Sequence, residues 1–366
     1  MEFSSFDHEC MALALRLARK GLYSTHPNPR VGCVISRSGH IVGTGWHVAA
    51  GSAHAEVNAL EEAGDQARAS TAYVTLEPCA HQGQTSACAE ALVRAGVSRV
   101  VAAVSDPNPR VNGQGYDCLR EAGVQVDTGL METQARELNC GFFSRIERGR
   151  PWVRVKSAQS LDGRTALENG ESRWISSEES RRDVQRWRAR SDAILTGSAT
   201  VRADDPRMTT RFEGATRQPL RVIAASRFAI NTDAQVLKSP GDALVVGCEA
   251  GEGLETLLSM GIECLVVEND GAGRVSLKAL LSALAERSIN EVQVEAGSVL
   301  CGALLREGLV DEVLLYQAPC LLGAGAAPAF AVGPLESMAD RMHFECHETV
   351  RTGPDWRFRL KPKGAG

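Results

Sequence analysis

The sequence predicts two α/β domains in tandem, and three observations predict it. At 366 residues the chain is too long for one ordinary core. Strand-like apolar runs alternate with helical patterns along most of its length, as in sheets covered by helices. The charged, glycine-containing segment ERGRP at 147–151 then interrupts that alternation. The expected division is a first domain over 1–147 and a second over 151–366.

The elements follow in order. An amphipathic helix is expected over 7–20, with Asp7 and Glu9 at its start. VGCVIS (31–36) reads as a buried strand. The Ser38-Gly39 turn joins it to HIVGTGWH (40–47) as a hairpin. Then come a helix over 55–64, strand 71–77, helix 86–95, strand 99–106, helix 114–122, strand 124–129 and a closing helix over 131–146. The second series begins with strand 152–160 and helix 177–190. Strands follow at 192–198, 219–225, 243–247, 263–268, 291–297 and 312–319, with helices over 253–260, 276–287 and 298–307 between them. That order predicts a mostly parallel open sheet with crossover helices. The tail KPKGAG reads as frayed.

Composition excludes several classes. Hydrophobic content of 43% and charged content of 23% fit a globular protein. No apolar run reaches the ~18–20 residues that span a bilayer. Arg16, Arg19 and Lys20 follow the acidic start of the first helix, the reverse of a signal peptide's charge order, so the chain reads as cytoplasmic. The net charge of −5 provides no global attraction for nucleic acid, and aromatics at 5% do not interleave with basic residues. In a reducing compartment Cys10, Cys33, Cys118, Cys140, Cys248, Cys264, Cys301, Cys320 and Cys346 read as small buried hydrophobes.

Cys79 and Cys88 have a different context. His54-Ala55-Glu56 stands at a predicted helix start, Pro78-Cys79 just after a strand, and Cys88 at the next helix start. One His and two Cys supply three ligands to Zn2+ and leave the fourth position for water, as in a catalytic rather than a structural site. Zinc lowers the pKa of such a water toward ~7, supplying hydroxide at neutral pH. Glu56 is placed to take the water proton and hand it to a departing amine. The combination points to a zinc-dependent deaminase of a small nitrogen heterocycle.

In the second half, LTGSATVRADDP (195–206) and VEAGSVLCGALL (294–305) share one design: a strand, a glycine, then a helix start. Free N–H groups at such a start suit a phosphate or dinucleotide. The competing reading makes Gly197 and Gly297 tight turns. In RRDVQRWRAR (181–190) the arginines mostly read as a solvated face, with Arg188 as the phosphate clamp.

His26-Pro27-Asn28-Pro29 and the long interval between the two cysteines resemble the deaminase half of the bacterial bifunctional riboflavin-biosynthesis deaminase/reductase family. That family's loop commonly reads Pro-Cys-x-His-x-Gly-x-Thr-Pro-Pro-Cys. This chain keeps Pro78, Cys79, His81, Gly83, Thr85 and Cys88, but has Gln84 where a Lys often stands and Ser86-Ala87 for the two prolines. KSAQSLDGRTA (156–166), SRWIS (172–176), TGSATVRADDP and VEAG resemble the reductase half, so the resemblance covers roughly 6–360.

The resemblance implies a cytidine-deaminase-like α/β/α domain followed by a dihydrofolate-reductase-like α/β domain that uses NADPH. The first would deaminate 2,5-diamino-6-ribosylamino-4(3H)-pyrimidinone 5′-phosphate, and the second would reduce its ribosyl chain. Asn28 would hydrogen-bond the pyrimidine, and His47 and His81 would help hold substrate and phosphate. An Asx turn at Asn28 and a structural role for His47 are the alternatives. Ala158, Trp174, Thr200, Asp204, Ser226 and the loop from Gly297 would contact NADPH. Ser172, Arg188, Met208, Arg211 and Glu295 would contact substrate, with Lys156 and Asp204 near the hydride-transfer centre. Trp174 could equally be core, Glu295 a turn carboxylate, and Asp204-Asp205 a helix terminus. The expected partner is a small phosphorylated pyrimidine, with no membrane or nucleic acid and with a homo-oligomeric assembly. A nucleic-acid deaminase with an accessory C-terminal domain, and a non-catalytic dimerisation module as second domain, are the competing functions.

Overall fold

The computed structural model describes residues 2–80, 87–109 and 111–363. It divides into two compact units, residues 1–149 and 150–366.

The first unit runs α1 (Ser5–Ala18), β1 (Gly32–Arg37), β2 (His40–Trp46), α2 (Ala55–Ala63), β3 (Thr71–Val74), α3 (Cys88–Arg94), β4 (Arg99–Ala102), α4 (Gln114–Glu121), β5 (Gln125–Thr128), α5 (Glu132–Leu138) and α6 (Cys140–Arg148). Ser4 and Asp7 form a capping box that starts α1. The sheet order is β2-β1-β3-β4-β5. β1 is antiparallel to β2 and β3, whereas β3, β4 and β5 are parallel. One face packs on α1, α5 and α6 through Met11, Leu15, Leu138 and Phe143. The other packs on α2, α3 and α4 through Ala59, Leu92 and Leu119. The unit is therefore an α/β/α sandwich.

One close approach sets the position of the later site. A Cβ on Gly43 would lie 2.2 Å from the Ala59 carbonyl, and one on Gly45 would lie 2.2 Å from the Ala55 carbonyl. Bare backbone in β2 and small residues on α2 let the helix lie directly on the strand. This fixes where the α2 N-terminus, with His54 and Glu56, comes to rest.

The second unit runs β6 (Trp152–Gln159), β7 (Arg164–Ala166), α7 (Glu178–Arg190), β8 (Ala193–Gly197), α8 (Ser198–Asp204), β9 (Leu220–Ala224), α9 (Gln235–Lys238), β10 (Ala243–Gly247), α10 (Glu252–Ser259), β11 (Glu263–Val266), α11 (Leu277–Glu286), β12 (Glu291–Val294), α12 (Ser298–Arg306), β13 (Glu312–Gln317), β14 (Ala327–Pro328), β15 (Phe344–Thr352) and β16 (Asp355–Pro362). Its main sheet has the order β11-β10-β9-β8-β12-β6-β13-β16-β15. The strands from β11 to β13 are parallel, and β16 and β15 add an antiparallel hairpin at the edge.

Several expectations need correction. The single helix expected over 131–146 is two, because Asn139 leaves helical geometry with φ −110° and ψ 25°. Glu147 and Arg148 belong to α6 rather than to a linker. The β15–β16 hairpin was not expected, and Lys361 and Pro362 of the supposedly frayed tail lie in β16. All eleven cysteines are free thiols. Of the nine read as buried hydrophobes, only Cys10, Cys33 and Cys301 are buried. Cys346 is exposed, because β15 is the sheet's edge.

Candidate active sites

The first site forms where α2, α3 and the segment after β3 meet. His54 is the N-cap of α2, and Cys88 is the first residue of α3. Cys79 follows β3, its sulfur accepting the Cys88 backbone N–H at 3.4 Å and its carbonyl the Ala89 N–H at 3.1 Å. His54 Nδ1 lies 3.1 Å from Cys88 Sγ and 3.7 Å from Cys79 Sγ. All three ligand atoms fall within 4.8 Å of one another. Hydrogen bonding from Cys88, with that from His54 behind it, lowers the Cys79 thiol despite burial. One imidazole nitrogen and two sulfurs at this spacing fit a zinc ion.

Glu56, only 4% exposed, is the second residue of α2, in its first turn. Burial, with Cys79 nearby, pushes its carboxyl up to about 7. His54, Glu56 and Cys79 border a cavity of about 510 Å3 that Asn28 and His47 also line, a volume suited to a small molecule. His47 Nδ1 faces the Ala53 carbonyl at 3.2 Å and must donate to it, so Nε2 accepts from Asn28 Nδ2 at 3.1 Å. The Arg30 N–H that an Asx turn at Asn28 would need is bound to Asn139 Oδ1 instead, and both His47 nitrogens bond within the protein. His81 lies outside the described residues.

The structure adds Glu77, Asp106, Asn108 and Phe142 to this cavity. Glu77 accepts the backbone N–H groups of Asp106, Gly113 and Gly115 at 3.1–3.2 Å, tying the segment after β4 to the zinc side. The signal in the sequence was DPNP, a proline- and Asn-rich stretch directly after a strand that ends at the sheet's carboxyl edge.

The second site lies at the carboxyl ends of β9, β8, β12 and β6, which are neighbours in the sheet. From β8 the chain passes to β9 on one side, whereas from β12 it passes to β13 beyond β6. Chain direction therefore switches between β8 and β12, where open α/β sheets bind ligands. Gly197 and Gly297 are the N-caps of α8 and α12 at that switch. Their φ values of −107° and −69° are open to any residue, so the tight-turn reading fails. An added Cβ would meet only Leu300 Cδ2 at 3.6 Å and Thr200 Oγ1 at 3.8 Å. The protein's own packing does not demand these glycines. They leave bare N–H groups to which a dinucleotide phosphate can come close. Gly297 N–H also donates to Thr200 Oγ1 at 3.1 Å, and the Ser226 hydroxyl accepts from Val275 N at 3.2 Å.

On the face under α7, Arg188 grips Glu295 with two bonds of 2.7 Å and donates to the Thr209 carbonyl at 2.8 Å. Gln293 donates a third bond to Glu295, also 2.7 Å. Burial opposes ionisation of Glu295, but Arg188 outweighs it and holds the carboxyl at about 2. Burial lowers the neighbouring Lys156 ammonium, while Glu295 pulls it back up. Arg190 also turns inward, to Glu291 at 2.9 Å, so the expected solvated face holds for Arg182 but not for Arg190. A guanidinium anchored in this way orients Glu295 rather than waiting free for phosphate.

Trp174 is 69% exposed with Arg181 stacked at 4.4 Å, which removes the core alternative. Met208 is 2% exposed inside a core cluster with Ile194 and Val201, leaving its main chain for any ligand contact. Ala158 packs against Trp187 and Tyr316. Ser172 is half-buried, and Asp204 and Arg211 are exposed. The Asp204 carbonyl accepts from Arg173 at 2.6 Å. Asp205, not Asp204, caps α9 through the Gln235 N–H at 2.7 Å.

Comparison with known proteins agrees with both halves. Residues 4–104 match the cytidine and deoxycytidylate deaminase zinc-binding region, and residues 151–358 match the RibD C-terminal domain. The riboflavin biosynthesis protein RibD of Escherichia coli is 45% identical, the match covering 95% of this chain and 97% of that one. The Haemophilus influenzae RibD is 42% identical with both chains covered in full. The solved structure of Acinetobacter baumannii RibD superposes with a TM-score of 0.90 at 44% identity, over 98% of this chain and 99% of that one. A Thermotoga maritima diaminohydroxyphosphoribosylaminopyrimidine deaminase/5-amino-6-(5-phosphoribosylamino)uracil reductase superposes at 0.85 with 29% identity and the same coverage. With the zinc triad in one unit and the ligand-binding sheet edge in the other, the chain belongs to the RibD family of bifunctional deaminase/reductases of riboflavin biosynthesis.

Proposed function

We propose that this chain deaminates 2,5-diamino-6-ribosylamino-4(3H)-pyrimidinone 5′-phosphate. It then reduces the ribosyl chain with NADPH, giving 5-amino-6-ribitylaminouracil 5′-phosphate. The observation that carries this reading is Glu56 on the cavity that His54 and Cys79 border, with Cys88 completing the set of three donors.

His54, Cys79 and Cys88 would hold zinc, which would supply the Lewis acidity that brings the pKa of a water molecule near neutral. Glu56 receives the water proton at its carboxylate and returns it to the leaving amine as ammonia departs. Asn28, backed by His47, orients the pyrimidine. His81 remains part of this proposal as a contact to the substrate and its phosphate.

NADPH, when bound in the second unit, would supply the hydride. Gly297, Thr200, Ser226, Ala158, Asp204 and Trp174 form its seat along the sheet edge. Glu295, held by Arg188, takes the polar end of the substrate, with Ser172, Arg211 and the Met208 main chain around it. Lys156 delivers a proton from Nζ to the atom that gains electrons beside the new C–H bond, with Asp204 as the nearby carboxylate. The full-length relatives do not favour a nucleic-acid deaminase, and the net charge of −5 supports the small-molecule reading. No described helix is long and apolar enough to cross a membrane. We place the enzyme in the cytoplasm as a homo-oligomer.

The test is a paired assay of ammonia release and NADPH oxidation on the purified protein. Ammonia should appear first, with NADPH loss following. A Glu56→Ala protein that keeps its zinc should release no ammonia, and wild-type release by that variant would overturn the assigned role.

A further inference from the structure

Asn139 interrupts the helical run between α5 and α6, and its side chain is committed to a distant segment. Oδ1 accepts the backbone N–H of Arg30 at 2.8 Å, while Nδ2 donates to the backbone carbonyl of the same residue at 2.9 Å. The amide pairs with Arg30 much as a neighbouring strand would. Arg30 answers with a bond from Nη1 to the Leu138 carbonyl, 2.8 Å. Asn139 is 1% exposed. Pro27, Asn28, Pro29 and Val31, on either side of Arg30, line the deaminase cavity, and so does Phe142 in the first turn of α6. The lock therefore joins two walls of that cavity. Asn28 is held from its side chain by His47 and from its main chain by a turn bond to Thr25 and by the clamped Arg30.

We propose that Asn139 is a positioning residue for deamination: by clamping the Arg30 main chain it sets the Asn28 amide against the substrate ring. The proposal rests on the reading of Asn28 as the ring-binding residue. A primary amide presents one donor and one acceptor across this span, which matches a peptide unit. Asp at 139 would still accept the Arg30 N–H but would set a carboxylate against the Arg30 carbonyl. Ala would leave two buried main-chain groups without this partner. Asn139 acts on substrate placement and touches no bond being made, so its loss falls on KM and spares kcat.

The experiment uses full-length, zinc-loaded protein carrying Asn28→Ala, Asn139→Asp or both. Ammonia release gives KM and kcat, while zinc content and NADPH-dependent reduction by the other unit control for folding. Asn28→Ala and Asn139→Asp should each raise KM about tenfold, the scale of one hydrogen-bonded contact, with kcat held within about twofold. The double variant should be no worse than Asn28→Ala alone, since a residue acting through Asn28 has nothing left to position. Multiplying KM effects in the double variant would overturn the proposal, as would a fall in kcat and zinc content together. An elevated KM in Asn28→Ala with a wild-type KM in Asn139→Asp sinks this proposal alone. An unchanged KM in Asn28→Ala sinks the reading of Asn28, and the proposal with it. Asn139→Ala, which adds no charge, repeats the test should Asn139→Asp fail to fold.

Discussion

Replacing Glu295 by Gln should destabilise the second unit in a way that depends on pH. Glu295 accepts two 2.7 Å bonds from Arg188 and one from Gln293, and the Arg188 and Glu295 side chains are only 16% and 12% exposed. Burial alone would raise this carboxyl, yet Arg188 brings it from 4.5 to about 2. A depressed carboxylate contributes stability that is fully present above its unfolded value and is lost as pH falls through its folded value. At pH 7 that contribution is about 3 kcal/mol, and at pH 3.5 it is about 2 kcal/mol, approaching zero below about 2. Gln carries no charge and leaves Arg188 buried without its counter-ion, a loss of the order of 3–5 kcal/mol for a buried pair. The assay is urea unfolding from pH 7 down to 3.5. Tryptophan fluorescence reports mainly on this unit, because Trp152, Trp174, Trp187 and Trp356 all lie within it. The wild-type lead over the Gln variant should be about 3 kcal/mol or more at pH 7 and about 1 kcal/mol smaller at pH 3.5. Equal stabilities at pH 7, or a gap that does not narrow on acidification, would refute the electrostatic account.

Two further outcomes follow from the sites. Stripping zinc with a chelator should abolish ammonia release while NADPH oxidation continues on the already deaminated intermediate, measured on one sample; loss of both would show that the second reaction needs the metal too. Gly297→Ala should fold with stability within about 1 kcal/mol of wild type, because its φ of −69° accepts a side chain and the nearest atom to the new Cβ is 3.8 Å away. Its NADPH affinity in a fluorescence titration should fall about tenfold or more as the methyl group blocks the phosphate's approach to the backbone; unchanged affinity would move the cofactor away from α12.

Two of the misreadings share one physical cause: charge at a buried position. The β15–β16 hairpin went unseen because β16 carries Arg357 and Arg359, whose charges mask its apolar pattern. In the fold Arg357 bonds Asp183 at 2.7 Å and Arg359 bonds Glu312 at 2.6 Å, with both carboxylates on neighbouring elements. Arg190 misled in the same way, since its partner Glu291 is about a hundred residues away, as Glu295 is from Arg188. Hydropathy along a chain cannot show that a charge has a buried partner. Asn139 was read as one more helical position because the group that competes for its side chain is the Arg30 main chain.

The sequence by itself determined what is local. His54 and Glu56 share one helix start, Cys88 opens another, and glycines precede α8 and α12, because caps and turns are set by nearest neighbours. It also determined the alternation of strands and helices that makes both sheets. Only the tertiary structure decided what converges. The sheet order places β8 beside β12 and so creates the switch point at which the NADPH seat is proposed. The seating of α2 on Gly43 and Gly45 fixes where His54 meets Cys79 and Cys88. Glu77, Asp106 and Asn108 reach the cavity because β3 and β4 end side by side. Such meetings depend on packing between segments far apart in the chain, where close fit rather than local preference selects the partner.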